Sequence, residues 1–249
     1  MPLAGKGMLL TSMDIDPSDE AEFNRWYDRE HLTERVAIGG FLEARRYVAH
    51  ETSLKHSNTS FSVDSPIADR PYVAPEIFPK YLSLYSTTTF DVLDSPAYRA
   101  ALANQTDWSK ANIARFRNMV RAVARVTISH GQGRGAALGL ICLRPPADGM
   151  DQLRAALREK LLDPAALDGI ISMHLMESDA GLSRPITGDP STANPGAADW
   201  FVLIDGTHVS AVRVAISVGL LDYPKFKSAV ISTGVYTLLW DLAKGDIPT

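Results

Sequence analysis

The feature that most limits how this chain can fold is an order of elements that occurs twice. In the first half, "GMLLTSMDI" (7 to 15) has the length and bounds of a buried strand, and Pro17-Ser18-Asp19 then supplies helix-start chemistry. Apolar or aromatic residues at Phe23, Trp26, Tyr27, Leu32 and Val36 carry a helix as far as Gly39-Gly40. "FLEARRYVAHE" (41 to 51) reads as a second strand, a Ser-, Asn- and Pro-rich stretch (52 to 79) shows no period, and "KYLSLYSTTTF" (80 to 90) alternates as a third strand. Two helical pieces within 95 to 116 and a long strand over 117 to 129 complete the series. After the glycine-rich "HGQGRG" (130 to 135) the order returns: strand 136 to 144, helix 149 to 162, strand 169 to 177, irregular 181 to 197, strand 199 to 205, helix 207 to 221, strand 233 to 242. Even the irregular insert recurs between the second and third strands of each half.

Strand-helix-strand-strand-helix-strand, taken twice, predicts an α+β protein of two tandem ferredoxin-like (βαββαβ) units, 1-130 and 131-249. Such a unit is an antiparallel sheet with both helices on one face, so the other face needs a cover. The second half can cover the first, which makes an α+β barrel within one chain. Gly131, Gly133 and Gly135 follow a strand and invite a nucleotide-loop reading, but such a loop must open a helix, whereas this one runs into another strand.

Composition narrows the partners. The chain has 249 residues, 45% of them apolar, and can bury a real core. A net charge of -4 without any Lys- or Arg-rich run gives nucleic acid or an anionic membrane nothing to hold. The opening residues are too weak for a signal peptide, and no apolar run approaches membrane-spanning length, so the expected location is the cytoplasm. Cys142, the single cysteine, cannot form an internal disulfide and reads as inert core. Sheet edges left free would allow a homodimer.

The densest chemistry lies in "FNRWYDREHLTERVAIGGFLEARRY" (23 to 47). On a helix, Tyr27 neighbours His31, Trp26 neighbours Glu30, and His31 neighbours Arg35. An imidazole moves protons near neutral pH, so His31 is the candidate acid or base, with Asp28, Glu30 or Glu34 to orient it. Tyr27 would donate to a developing oxyanion, and Trp26 would form a flat apolar wall. Strand alternation separates Glu43, Arg45 and Tyr47 from Leu42, Ala44, Arg46 and Val48, so one of two adjacent arginines must enter a covered face. Arg46, on the face expected to pack on the His31 helix, is the candidate anion clamp. Tyr81, Ser83 and Tyr85 would line the opposite face, within the barrel, and Trp108 with the stretch around Tyr72 and Phe78 would form a lid. The structural alternative is plain: aromatics at helical spacing form core, and the buried arginine pairs with Glu30 or Glu34. Asp28, His31 and Glu34 have ligand spacing, but only one helix contributes, and His50, His56, His130, His174 and His208 are scattered, so no metal site is expected.

"EFNRWYDREHL" followed by "GGFLEARRY" resembles the Phe-Asn-x-Trp-Tyr-x-x-Glu-His … Gly-Phe-x-x-x-Arg-Arg-Tyr pattern of the EthD-like branch of the dimeric α+β barrel superfamily. The match covers about 30 residues; the second half, with "MDQLRAALREKLL" and "GIISMHLMES" in the corresponding places, lacks it. The resemblance implies a barrel of two sheets, with a pocket between sheet and helices, in a superfamily that includes cofactor-free monooxygenases on polyketides, lactone isomerases, cyclases, haem-degrading enzymes and members without known activity. The expected function is a small-molecule enzyme without an organic cofactor, acting on an aromatic or polyketide-like acid by proton transfer at His31, as an isomerase, lyase or monooxygenase. The alternative is a non-catalytic barrel that binds the same kind of molecule.

Overall fold

The structure is a computed structural model, and it describes residues 5–50, 79–184, 194, 196–220 and 229–248. Eight strands close into one barrel: β1 (Gly7–Asp14), β2 (Phe41–Ala49), β3 (Tyr81–Thr87), β4 (Arg117–Gly131), β5 (Ala137–Leu143), β6 (Ile170–Ser178), β7 (Trp200–Gly206) and β8 (Val230–Ala243). Around the ring they run β1-β3-β2-β8-β5-β7-β6-β4, and every pairing is antiparallel. Cut at β2·β8 and β4·β6, the ring falls into two sheets with the same order, β4-β1-β3-β2 and β8-β5-β7-β6. This is the double ferredoxin-like barrel that the element order predicts. Because the ring consumes both edges of every described strand, the free edges that favoured a homodimer are absent among the described residues.

Helices cover the outside. The first half supplies α1 (Glu20–Trp26), α2 (Leu32–Ala37), α3 (Pro96–Ala103) and α4 (Asp107–Ile113), and the second supplies α5 (Met150–Lys160) and α6 (Val209–Val214). Side chains therefore sort into three cores. Met8, Leu10, Leu84, Leu138, Leu140, Phe201 and Tyr236 fill the lumen. Phe23, Trp26, Tyr27, Leu32, Tyr81 and Tyr85 lie between the first sheet and its helices, and Leu153, Leu157, Leu175, Val202 and Val212 lie between the second sheet and its own.

Closure corrects the reading of the arginine pair, because both faces of β2 are covered and both arginines are buried. Arg46 points to the helices. Arg45 points into the lumen, where Nη1 donates to Asp205 Oδ1 at 3.0 Å and Nη2 to the Gly135 carbonyl at 3.1 Å. The Gly135 amide also donates to Asp205 (3.2 Å), Glu43 pairs with Arg134, and His174 sits between the Ser129 and Ser172 hydroxyls at 2.9 and 3.0 Å. The glycine-rich linker is thus tied to β2 and β7. A Cβ on Gly135 would lie 1.8 Å from the Gly206 carbonyl oxygen, which is why that position has no side chain. Cys142 is buried near Asp199, and burial pushes its thiol up, as suits an inert core cysteine.

Arg45 and Asp205 come from opposite halves and are 4% and 1% exposed, so removing one leaves a buried charge alone. Asp205→Ala is expected to cost about 3–5 kcal/mol in denaturant unfolding. The double replacement Arg45→Met/Asp205→Leu should recover most of that loss, and failure to recover would contradict the pair's role as a mutual neutraliser.

Candidate functional site

The helix that carries the motif is not regular. Between α1 and α2 the chain makes a π-helical turn, Tyr27–His31, in which the Leu32 amide donates to the Tyr27 carbonyl. Such wide turns recur at functional sites because they re-aim side chains. Here the turn sets His31 against Trp26, five residues back, with ring centroids 4.2 Å apart and planes at 33°. Tyr27 meets His31 edge-on at 5.0 Å, and Tyr85 approaches from the sheet at 6.4 Å. The expected i,i+4 contact of Tyr27 with His31 is present, whereas Trp26 pairs with His31 rather than with Glu30.

None of the three acids expected to orient His31 hydrogen-bonds to it. Asp28 accepts from Arg46 Nη1 at 3.1 Å and from Trp240 Nε1 of β8 at 2.9 Å. Glu30 turns to α4, accepting from Thr106 Oγ1 at 2.6 Å and Ser109 Oγ at 3.2 Å, and Ser109 in turn accepts from Trp26 Nε1 at 3.1 Å. Glu34 is raised from the ordinary carboxylate range, by burial first and then by Glu30. His31 Nδ1 is buried without a partner. Burial, then the charges of Arg35 and Arg46, holds the imidazole well below its usual titration range, so at neutral pH it is an uncharged ring.

Arg46 finds a structural partner set. Besides Asp28 it donates to Asn24 Oδ1, and its guanidinium lies over the Tyr27, Phe23 and Tyr81 rings at 4.3, 5.0 and 5.4 Å. Its counter-ion is Asp28, not the Glu30 or Glu34 of the sequence reading. Tyr81 and Tyr85 also differ from expectation: they face the helices, not the lumen. Register explains it, since Tyr81 lies opposite Val48, Ser83 opposite Arg46 and Tyr85 opposite Ala44, so all share the outward face of β2. Trp108 sits in α4 and donates to Glu22 Oε1 at 2.7 Å, under Arg25 at 5.9 Å, so it braces α1 instead of covering His31. Tyr72 and Phe78 lie outside the described residues.

The structure therefore brings His31, Tyr27, Trp26, Arg46, Tyr81 and Tyr85 into one layer and turns Glu30 and Trp108 away from it. It adds Arg35, Thr11, Ser83, Asn24 and Trp240. Several polar atoms in this layer are buried without hydrogen bonds: His31 Nδ1, Arg35 Nη1, Arg46 Nε, Thr11 Oγ1, Ser83 Oγ and Tyr85 Oη. Burial first, and then Tyr27, pushes the Tyr85 phenol well above its usual range. Thr11, Ser83 and Arg46 form one row across β1, β3 and β2. The matching row of the second half, across β5, β7 and β6, is Ile141, Val202 and Leu175. One fold position is polar in one half and wholly apolar in the other.

Comparison with solved structures places this architecture. An anthrone oxidase-like protein aligns with a TM-score of 0.62 at 9% identity, over 99% of this chain and 97% of its own. A candidate monooxygenase from Lactobacillus acidophilus NCFM aligns at 0.55 and 10% identity, over 98% of each chain. One from Fusobacterium nucleatum subsp. nucleatum ATCC 25586 aligns at 0.55 and 10%, over 97% of this chain and 95% of its own. The fold is that of the ferredoxin-like α+β barrels. No protein-family model matches the sequence, and no curated protein matches it. Among the described residues no three His, Cys, Asp or Glu side chains gather as metal ligands, and no helix is long and apolar enough to cross a membrane.

The depressed His31 titration has a consequence for stability. Between its lowered folded value and the free-imidazole value of about 6.5, the unfolded chain binds more protons, so stability falls as pH drops through that window. His174, pushed down to about 3 by burial and then by Arg45, Arg134 and His130, acts in the same direction. His31→Gln is expected to shrink the loss of melting temperature between about pH 7.5 and about pH 5. An undiminished loss would mean that His31 titrates normally.

Proposed function

We propose that this chain is a small-molecule enzyme that works without an organic cofactor, of the monooxygenase type, with its site between the α1–α2 helix and the outer face of β1, β3 and β2. In this reading residues 1-130 form the unit that carries the site, and 131-249 form a diverged partner that completes the barrel. The observation that carries it is the contrast between equivalent layers. The Ile141–Val202–Leu175 row packs without a polar atom, so the fold does not require Thr11, Ser83 and Arg46 at the matching places. Polar atoms left unpaired in a buried layer cost stability, which a bound ligand would offset.

The chemistry follows from the groups present. His31, uncharged and without a hydrogen bond at Nδ1, removes a proton from a carbon acid, and the electron pair moves onto the adjacent carbonyl as an enolate. The phenol of Tyr85 and the hydroxyl of Ser83 are donors for the oxygen on which that charge develops. Trp26 and Tyr27 hold the imidazole by ring contacts where other sites use a carboxylate. Dioxygen, taken from solution, then forms a C–O bond at the electron-rich carbon to give a hydroperoxide, whose O–O bond breaks with loss of the second hydrogen of that carbon, so that one oxygen stays as a new carbonyl, the other leaves as water, and the carbon is oxidised as dioxygen is reduced. The likeness to an anthrone oxidase-like fold makes an aromatic, polyketide-like ketone the first substrate to try.

Oxygen uptake with dithranol, an anthrone, tests this. Wild-type protein should consume oxygen faster than buffer, and His31→Ala should lower the rate about a hundred- to ten-thousand-fold while still binding the anthrone. Binding without oxygen uptake in the wild type would favour the non-catalytic ligand-binding barrel.

A further inference from the structure

Three arginines are buried among the described residues, and they are not equivalent. Arg45 has Asp205, and Arg46 has Asp28 with Asn24. Arg35, 4% exposed, makes no side-chain hydrogen bond or ion pair with the described residues, and its Nη1 is buried. The acids nearby are committed elsewhere: Asp28 to Arg46 and Trp240, Glu30 to Thr106 and Ser109. Glu34, its neighbour in sequence, feels its charge, but no carboxylate oxygen of the described residues comes within 4.0 Å. Nη1 of this guanidinium is out of water without an acceptor, an arrangement that costs stability.

The surroundings of Arg35 say what would compensate it. His31 lies one helical turn back and Tyr85 faces both from β3; each feels the Arg35 charge. The unpaired hydroxyls of Thr11 and Ser83 stand side by side on the sheet below, and the Trp26 ring flanks His31. The unpaired groups of Arg35, Thr11, Ser83 and Tyr85 can all donate a hydrogen bond, and the charge among them is positive. We propose that Arg35, and not Arg46, receives the anionic oxygen of the ligand, so that the site takes a flat, largely apolar molecule carrying one carboxylate or enolate oxygen. This rests on the reading that the layer under α1–α2 is the ligand site, but it does not require that the ligand be turned over. It also couples binding to chemistry. His31 is depressed by burial first and then by Arg35 and Arg46, and an anion on Arg35 cancels the larger of those two charges, so the imidazole becomes a better base than in the empty site.

The test uses the full chain, the variants Arg35→Gln, Arg35→Lys, Arg46→Gln and His31→Gln, and three probes. These are 2-naphthoate, the uncharged 2-naphthamide, and dimedone, a diketone that is an enolate at neutral pH. Without ligand, Arg35→Gln should melt no lower than wild type, since it removes an unpaired charge, whereas Arg46→Gln should melt several degrees lower; an equal fall in both would overturn the proposal. Wild type should bind 2-naphthoate on the order of tenfold tighter than 2-naphthamide. Arg35→Gln should abolish that preference while keeping amide binding, and Arg35→Lys and His31→Gln should keep the preference. Dimedone binding that depends on Arg35 identifies an enolate site, and naphthoate binding alone identifies a carboxylate site. Wild type without preference for either anion, or preference that survives Arg35→Gln, sinks the assignment. Preference lost in Arg35→Gln together with no oxygen uptake from dithranol retains the Arg35 site and rejects the monooxygenase reading. By nuclear magnetic resonance, 2-naphthoate should raise the His31 titration in wild type and leave it unmoved in Arg35→Gln.

Discussion

Ring closure at the β2·β8 and β4·β6 seams is the constraint on which the remaining structure depends. A four-stranded ferredoxin-like sheet has one face without helices, and alone it would present that face to water. Joining two such sheets edge to edge buries both inner faces in a common lumen, and it leaves each sheet an outer face to pack beneath its own helices. Both faces of a strand such as β2 are then covered. That is why two adjacent arginines can both be buried, and why each meets a carboxylate from a different element: Arg45 from β7 across the lumen, Arg46 from the π-helical turn above.

Because the two outer layers are separated by the lumen, they can diverge without disturbing each other. The second half uses its layer as ordinary core, with Leu153, Leu157, Leu175, Val202 and Ile204 in contact. The first half places hydroxyls, an imidazole and two guanidinium groups at the same level, and leaves several of their polar atoms unpaired. Stability lost there is supported by apolar packing in the other two cores. The division of labour also explains a cross-connection. Trp240 belongs to β8 of the second half, yet β8 lies beside β2, so its indole reaches Asp28 and steadies the carboxylate that holds Arg46.

Much of this architecture was legible in the sequence for a physical reason: strand alternation and helix periodicity are local, and the order of elements repeats. The motif segment from Phe23 to Tyr47 likewise marks the half that bears the polar layer. What was not legible depends on register and on backbone detail. Strict alternation groups Tyr81, Ser83 and Tyr85 on one face, but only pairing with Arg46 and Ala44 of β2 says which face. The π-helical turn sets Trp26 against His31, five residues on, where regular spacing sent Glu30 toward Trp26. Arg35 stood beside His31 by spacing, yet its lack of a counter-ion follows from where Asp28 and Glu30 spend their hydrogen bonds, and no pattern along the chain records that. Trp240 was invisible because its role is set by a seam between distant strands.

The central claim is that the fold repeats while the site does not. Calorimetric titration of the full chain with 2-naphthoate tests it through stoichiometry. One molecule bound per chain is the expected result, because the Ile141–Val202–Leu175 layer offers an anion nothing to bind. Two equivalent molecules per chain would contradict it, since the apolar layer of the second half would then be a site as well.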